Sequence, residues 1–127
     1  MEYETYEVQV YKRGTKFWYQ NGKLHRKDGP AVEYVNGTKL WYKNGKCHRD
    51  DGPAKECVNG ENHWYKNGEL HREDGPAITR RNGDKFWALN NVVFSKQVFD
   101  MVLAKKKKLC NNKIVEIDGK KYKLQEL

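Results

Sequence analysis

Tryptophan spacing constrains this chain more than any other feature. The tryptophans stand at positions 18, 41, 64 and 87, a constant step of 23 residues. The segments that follow them also repeat, as "WYQNGKLHRKDGPA", "WYKNGKCHRDDGPA" and "WYKNGELHREDGPA". Self-similarity at a fixed period of this kind indicates a repeat architecture, in which each unit buries its apolar face against its neighbours. We therefore expect an array of similar units.

Each unit contains two turn signals. One Asn-Gly pair follows the tryptophan, as at Asn44-Gly45, and another precedes it, as at Asn36-Gly37. Asn-Gly between alternating apolar runs is the strongest short-range signal of a β-hairpin, because both residues accept the positive φ of a type I′ turn. The segment "AVEYVNGTKLWYK" therefore predicts two antiparallel strands. The proline of each copy cannot donate to a strand ladder, so we expect it at a strand start or in a turn.

Both ends of the array carry degenerate copies. The segment "VQVYKRGTKFWYQNG" is a half-repeat, with Arg13-Gly14 one period before Asn36-Gly37, and "KFWALNNVVFSK" has Phe94 where the other copies have histidine. End units are expected to be atypical because they close a core instead of extending it. We assign the array to residues 1–94, as a half-repeat (1–17), three repeats (18–40, 41–63 and 64–86) and a degenerate end (87–94).

The C-terminal module, residues 95–127, departs from the period. Ser95 is a predicted N-cap for a helix with apolar residues at 98, 99 and 101–103, and Lys105–Lys108 are predicted at its C-terminus, where the helix dipole favours cations. The segment "KIVEIDGKKYKL" predicts a hairpin turned at Asp118-Gly119. The predicted fold class is thus mainly β: an elongated, twisted antiparallel β-meander of hairpin repeats, capped by one C-terminal α-helix and a terminal β-hairpin.

The quoted units resemble MORN repeats in a variant form, over roughly Thr15 to Phe94. They share the tryptophan, the Asn-Gly (followed by lysine in the first two units and by Glu69 in the third) and the following histidine. An arginine stands after the histidine where the common pattern has glycine. The HRxDGPA segment is similar to arrays in small proteins of bacteriophages and other large DNA viruses. The resemblance implies a binding scaffold rather than a catalyst. It also implies a viral protein that acts in the host cell cytoplasm.

Histidine and aspartate in every copy suggest metal binding or catalysis. Equivalent residues of successive hairpins lie two strands apart, roughly 9–10 Å, whereas zinc ligands lie within about 2 Å of the ion. No GxSxG, glycine-rich phosphate loop or HExxH motif occurs. We therefore expect no metal, no cofactor and no enzymatic activity. Instead, the aspartates of the Asp-Gly-Pro sequences should accept hydrogen bonds from their own turns, and histidine and arginine should form polar ladders with them.

Two surfaces are candidates for binding. The first is a histidine and arginine stripe that could hold an acidic partner, made of His25, Arg26, His48, Arg49, His71, Arg72, Arg80 and Arg81. The second is a basic patch that could contact phosphates, made of Lys105, Lys106, Lys107, Lys108, Lys120 and Lys121. Within each repeat the variable stretch, "VEYV", "KECV" or "ITRR", is where a surface specific to one partner would be encoded.

These observations predict a non-enzymatic binding protein. Its net charge of +8 favours an acidic partner, and the viral resemblance suggests a host protein or defence system that it inhibits. Nucleic-acid binding through the basic patch is the alternative, and a repeat-site enzyme is the second alternative. We expect no membrane partner, because no apolar run approaches a membrane helix and no leader follows Met1. Open sheet edges leave homo-oligomerisation open, and three cysteines without a CxxC motif predict free thiols in a reducing cytosol.

Overall fold

The protein is mainly β, as the sequence predicted. A computed structural model describes residues 5–112, 114–117 and 120–123. The chain divides into two compact units, residues 1–93 and 94–127. The strands that precede the helix are β1 (Glu7–Val10), β2 (Lys16–Gln20), β3 (Lys23–Leu24), β4 (Val32–Glu33), β5 (Lys39–Leu40), β6 (Tyr42–Lys43), β7 (Lys46–Cys47), β8 (Lys55–Glu56), β9 (Asn62–His63), β10 (Tyr65–Lys66), β11 (Glu69–Leu70), β12 (Ile78–Thr79), β13 (Lys85–Leu89) and β14 (Val92–Phe94).

One antiparallel meander organises the first unit. Ten strands form a single sheet in the order β1-β2-β4-β5-β8-β9-β12-β13-β14, with β3 paired to β2. The remaining short strands form two separate hairpins, β6 with β7 and β10 with β11. Each middle repeat therefore contributes one hairpin to the large sheet and one small hairpin beside it. This arrangement confirms the predicted β-meander.

The strand that carries the tryptophan differs between the ends and the middle of the array. β2 runs unbroken through Trp18, because β1 pairs with it there, with Val8 opposite Trp18. In the middle repeats the strand stops at Trp41 and at Trp64. The Trp41 N–H donates to the Ala54 carbonyl at 2.8 Å, whereas the Trp41 carbonyl accepts the His48 N–H at 3.0 Å. The single strand predicted for "TKLWYK" is therefore wrong, since the backbone changes partner at the tryptophan.

Small residues occupy the centre of the core. The alanine of each Asp-Gly-Pro-Ala sequence is fully buried, with 0% exposure at Ala31, Ala54 and Ala77. Each of these alanines also accepts the N–H of its repeat's tryptophan through the backbone carbonyl, at 2.7–2.8 Å. Larger side chains, including the half-buried Trp64, pack around Ala77. The backbone can thus approach the tryptophan closely because the alanine side chain takes little room.

The C-terminal unit contains α1 (Lys96–Asn112), β15 (Ile114–Ile117) and β16 (Lys120–Lys123). Ser95 caps the helix, since its Oγ accepts the Val98 N–H at 3.4 Å, which confirms that prediction. The helix continues beyond Lys105–Lys108, and its last turn has no basic residue. Their predicted placement at the helix C-terminus is therefore wrong, and the dipole argument does not apply to them, because its effect is confined to the last turn.

The terminal hairpin is confirmed. β15 and β16 pair antiparallel, with Ile117 opposite Lys120. The predicted turn residues, Asp118 and Gly119, lie outside the described residues. In the described part of the chain, no helix has the length and apolar character needed to cross a membrane.

Candidate binding surfaces

Two kinds of turn alternate along the array. The two-residue turns follow the tryptophans, and both of their central residues have positive φ, for example 51° at Asn44 and 80° at Gly45. This geometry is that of the predicted type I′ turn. The row comprises Asn21-Gly22, Asn44-Gly45, Asn67-Gly68 and, at the degenerate end, Asn90-Asn91.

The second kind is a three-residue turn, and here the type I′ prediction is wrong. Gly37 has a φ of 98°, while Asn36 is absent from the positive-φ residues of the described chain. Gly37 N–H donates to the Tyr34 carbonyl at 3.0 Å and Tyr34 N–H to the Thr38 carbonyl at 2.9 Å. Asn36 Oδ1 accepts the Thr38 N–H at 2.9 Å. The asparagine thus serves as an acceptor, and the glycine alone supplies the left-handed residue. The four three-residue turns are 11–15, 34–38, 57–61 and 80–84.

The histidines of the predicted stripe connect one repeat to the next. His48 Nδ1 accepts the Asn67 N–H at 3.0 Å, and His48 Nε2 lies 3.0 Å from Asp50 Oδ1. In the same way, His25 Nδ1 accepts the Asn44 N–H at 3.0 Å and His71 Nδ1 accepts the Asn90 N–H at 3.1 Å. Because Nδ1 accepts, the proton of the neutral ring is on Nε2. The predicted pairing of histidine with the Asp-Gly-Pro aspartate, Asp51, is therefore wrong at His48, whose partner is Asp50.

The arginines of the stripe stack on the tryptophans. The Arg49 guanidinium lies 3.9 Å from the centre of the Trp41 ring. It also donates to the Pro53 carbonyl at 3.1 Å, to Glu56 at 2.9 Å and to Asp51 at 3.1 Å. Arg26 and Arg72 lie over the tryptophans of their own repeats at 4.0 and 3.8 Å. Cation–π contact and charge-assisted hydrogen bonds together hold each arginine in the fold.

The glycine of Asp-Gly-Pro completes this arrangement. A Cβ on Gly52 would lie 2.8 Å from Cζ of Arg49, and the same distance separates a Cβ on Gly75 from Arg72. The guanidinium therefore lies between the indole ring and the Gly-Pro backbone, and a Cβ at Gly52 or Gly75 would force the arginine to shift. Sequence reasoning missed this role. The signal was present, because tryptophan, arginine and glycine recur together in every full copy.

Within the part of the chain that the structure describes, three ionisable groups have shifted pKa values. A hydrogen bond from Arg72, at 2.8 Å, holds the pKa of the Asp74 carboxyl below its usual value. Burial raises the pKa of the Cys47 thiol to about 11 and raises that of the Tyr42 hydroxyl. Cys47 is therefore a neutral thiol near pH 7. Cys47 and Cys57 are free thiols, and the side chain of Cys110 lies outside the described part.

Two grooves separate successive His-Arg-x-Asp-Gly-Pro loops. The first has a volume of about 810 Å³ and includes Arg26, His48 and Arg49, whereas the second has about 330 Å³ and includes His71 and Arg72. Acidic and basic side chains alternate along both grooves, so neither has a single charge character. Among the residues that the structure describes, no group of three or more histidine, cysteine, aspartate or glutamate side chains could hold a metal ion.

Arg80 and Arg81 lie apart from the rest of the stripe, on the last three-residue turn. They line a different pocket, of about 380 Å³, together with Glu61 and Asn82. The Arg80 guanidinium lies 4.9 Å from the Phe86 ring, and both arginines are exposed. The structure therefore brings together the histidines and arginines at 25–26, 48–49 and 71–72, and places Arg80 and Arg81 on another surface.

The other three-residue turns expose large apolar side chains. Val35 and Val58 are each 64% exposed, Tyr11 is 54% exposed and Tyr34 is 40% exposed. Val35 N–H donates to the Thr15 hydroxyl and Val58 N–H to that of Thr38, each at 3.3 Å. The first three turns are thus bonded in succession, and their exposed side chains follow a regular row.

The basic patch is described only in part. Lys105, Lys106 and Lys107 are exposed on α1. Lys120 and Lys121 lie on β16. Their side chains, and that of Lys108, lie outside what the structure describes.

Comparison with known proteins finds no matching family model, no matching curated protein and no matching solved structure. The resemblance to MORN repeats therefore stays a prediction. Inferences about function rest on the geometry of this chain and on its sequence pattern.

Proposed function

We propose that the protein is a non-enzymatic binding protein whose contact surface is the row of three-residue turns. One observation supports this choice over the histidine and arginine stripe. The histidines and arginines at 25–26, 48–49 and 71–72 use their polar atoms within the fold, on proline carbonyls, carboxylates and turn N–H groups, and the arginines stack on tryptophan. The row of three-residue turns instead exposes its largest side chains to solvent. An exposed apolar row bordered by polar residues is typical of an interaction surface.

The sequence pattern supports the same surface. The three-residue turns include the end of the stretch that varies between repeats, with Tyr34-Val35, Cys57-Val58 and Arg80-Arg81 at equivalent positions. Positions that differ between repeats can change without disturbing the bonds that each repeat needs. They are therefore the positions at which a partner can be selected.

The resemblance to viral arrays extends this proposal. On that basis we propose a MORN-like viral protein that binds an acidic protein in the host cell cytoplasm and inhibits it. The net charge of +8 is consistent with such a partner, because it would steer an acidic protein toward the molecule.

A capture experiment from bacterial lysate tests the binding function. The matched proteins are the wild type, a turn-row variant (Val35→Lys with Val58→Lys), and Val92→Lys as a control with a similarly exposed valine on β14. We expect mass spectrometry to find proteins enriched by the wild type and by Val92→Lys, but not by the turn-row variant. Enrichment of nucleic acid without any protein would contradict the proposal.

Nucleic-acid binding through the basic patch is a second candidate. The exposure of Lys105, Lys106 and Lys107 on one helix supports it. Phosphate contacts release counterions, so affinity for a DNA duplex would fall steeply with salt, by about 0.9 in the log–log slope for each contact. Changing the three lysines to alanine should flatten that slope. An unchanged slope would remove this candidate.

A further inference from the structure

We infer that the row of three-residue turns binds an extended protein segment with apolar residues at its centre and acidic residues on both sides. This inference rests on the proposed binding function and specifies the chemistry of the partner. It follows from how apolar and basic side chains are distributed along the row.

The centre of the row is continuous and apolar. The Tyr11 and Phe17 rings meet edge to face at 5.3 Å, and the Phe17 and Tyr34 rings do so at 6.2 Å. Val35 lies against the preceding turn, since a Cβ on Gly14 would be 3.9 Å from its Cγ2. Val58 likewise lies against the second turn, since a Cβ on Gly37 would be 3.6 Å from Cγ2 of Val58. Apolar side chains from three successive turns thus form a single strip.

Basic residues lie at both ends of this strip. The first turn has exposed Lys12 and Arg13, and the fourth has exposed Arg80 and Arg81. The fourth turn also contains Asp84, which accepts a hydrogen bond from the Asn82 side chain at 3.0 Å, so its two arginines leave a net positive charge. The second turn carries no charged residue. In the third, Glu61 lies 3.3 Å from the His63 ring. An acidic, apolar, acidic segment is the charge complement of this order.

The spacing of the turns fixes the length of the segment. Successive turns are two strands apart, roughly 9–10 Å. An extended chain rises about 3.3 Å per residue, so about three residues of the partner span one step. Apolar residues of the partner should therefore recur about three positions apart, with acidic residues about three positions beyond them on each side. The whole segment is about ten residues long.

Aliphatic side chains at the centre favour a protein over a nucleic acid. Single-stranded nucleic acids are bound by aromatic faces on which bases stack. Here the central side chains are Val35 and Val58, which offer no such face, and Tyr34 already meets Phe17 edge to face. Phosphates placed against this strip would lose hydration without gaining a charged partner.

Selection from a displayed library of random twelve-residue peptides tests the inference. Immobilised wild-type protein is the target, and the Val35→Lys, Val58→Lys variant removes peptides that bind elsewhere. We expect the retained peptides to have two or three aliphatic or aromatic residues between acidic ones. A retained peptide should bind that variant about tenfold more weakly, because central apolar contacts dominate such interfaces, and should bind the Val92→Lys control as it binds the wild type.

The basic ends are tested separately. The double variant Arg80→Ala, Arg81→Ala should bind the same peptide more weakly than the wild type does. The affinity should also depend less on salt concentration. Because the changed residues are exposed, each variant should fold, and circular dichroism checks this. The inference is wrong if no peptide depends on Val35 and Val58, if the retained peptides are basic, or if a DNA or RNA oligonucleotide displaces them.

The capture experiment separates this inference from the proposed function. If the wild type and the turn-row variant capture the same proteins, the protein binds a partner by another surface, and the proposed contact surface fails together with the inference. If the turn-row variant loses the captured proteins but the peptide selection retains no segment with apolar residues between acidic ones, only the inference fails. If neither captures any protein, the binding function fails as well.

Discussion

The two rows of turns connect the same meander and carry similar Asn-Gly sequences, yet they differ in almost every physical respect. Each two-residue turn after the first donates an asparagine N–H to the histidine of the preceding repeat. The same repeats contain the arginines that stack on tryptophan. The three-residue turns bond to one another mainly through a threonine hydroxyl and the backbone. One row holds the repeats together, and the other presents side chains that the fold does not require. The residues that join the repeats recur in every full copy, whereas the three-residue turns keep only their Asn-Gly and vary at the positions beside it.

Removal of a stacked arginine should have the largest effect on stability. Arg49→Ala loses the contact with Trp41 and leaves the buried side of the stack without its hydrogen bonds, so we expect a loss of about 3 kcal/mol. Arg81→Ala, on the three-residue row, should change stability by less than about 0.5 kcal/mol. Urea denaturation measures both. Equal effects would show that the two rows do not differ in the way described.

The glycine beneath the guanidinium gives the next largest effect. Gly52→Ala should cost about 2 kcal/mol, because its Cβ would overlap Arg49. Gly60→Ala should cost about 1 kcal/mol, from its φ of 94° alone, since a Cβ there meets nothing within 4 Å. When Arg49 is also changed to alanine, Gly52→Ala should reduce the free energy of unfolding by less than it does alone. The effect of Gly60→Ala should be the same with and without Arg49→Ala. A double-mutant cycle by thermal or urea unfolding measures the coupling.

The linking histidines should have moderate and similar effects. His25→Ala, His48→Ala and His71→Ala each remove the acceptor of a turn N–H, so we expect losses of about 1–2 kcal/mol in each case. His63→Ala is the control, because it contacts Glu61 and joins no two-residue turn. If one of the three histidines proved far more important for a measured activity than the others, the enzyme alternative would be revived.

Cys47→Leu should have a smaller effect on stability than the histidine changes, and a favourable one. Cys47 occupies the position of Leu24 and Leu70 in the other copies, so leucine should add about 1 kcal/mol of apolar burial. The same change should alter the alkaline behaviour. The unfolded thiol ionises near pH 8.5, but burial raises the pKa of the folded thiol to about 11.

The direction of this alkaline effect follows from proton linkage. Between these two pKa values the unfolded state has released a proton that the folded state keeps, so wild-type stability falls as pH rises. Cys47→Leu should remove that part of the fall, together with the smaller part that the Cys47 charge contributes to the raised pKa of Tyr42, whereas the part due to burial of the Tyr42 hydroxyl should remain. Urea midpoints from pH 7 to pH 11 measure the difference. A variant that lost stability as steeply as the wild type would contradict this assignment.

Much of the fold could be predicted from the sequence, because a strict period and its turn signals define the strands. The helix and the terminal hairpin could be predicted for the same local reasons. The different geometry of the two Asn-Gly classes could not, because loop length and hydrogen-bond partners decide whether Asn36 adopts positive φ. The position of Arg49 also needed the structure, since its partners come from residues before and after it in the chain. Charge and residue type alone suggested a binding stripe where the fold uses these groups internally.

The link from histidine to the next turn gives the array a direction. Each histidine requires an asparagine turn supplied by the unit that follows it, and His71 obtains this from Asn90 in the degenerate end. That end unit keeps the asparagine but has Phe94 in place of the histidine, because no further unit follows to use one. A further complete copy inserted between the two ends would supply a turn for the histidine before it and find a turn for its own histidine in the copy after it. A chain cut after a complete copy would leave its final histidine without a turn to bind.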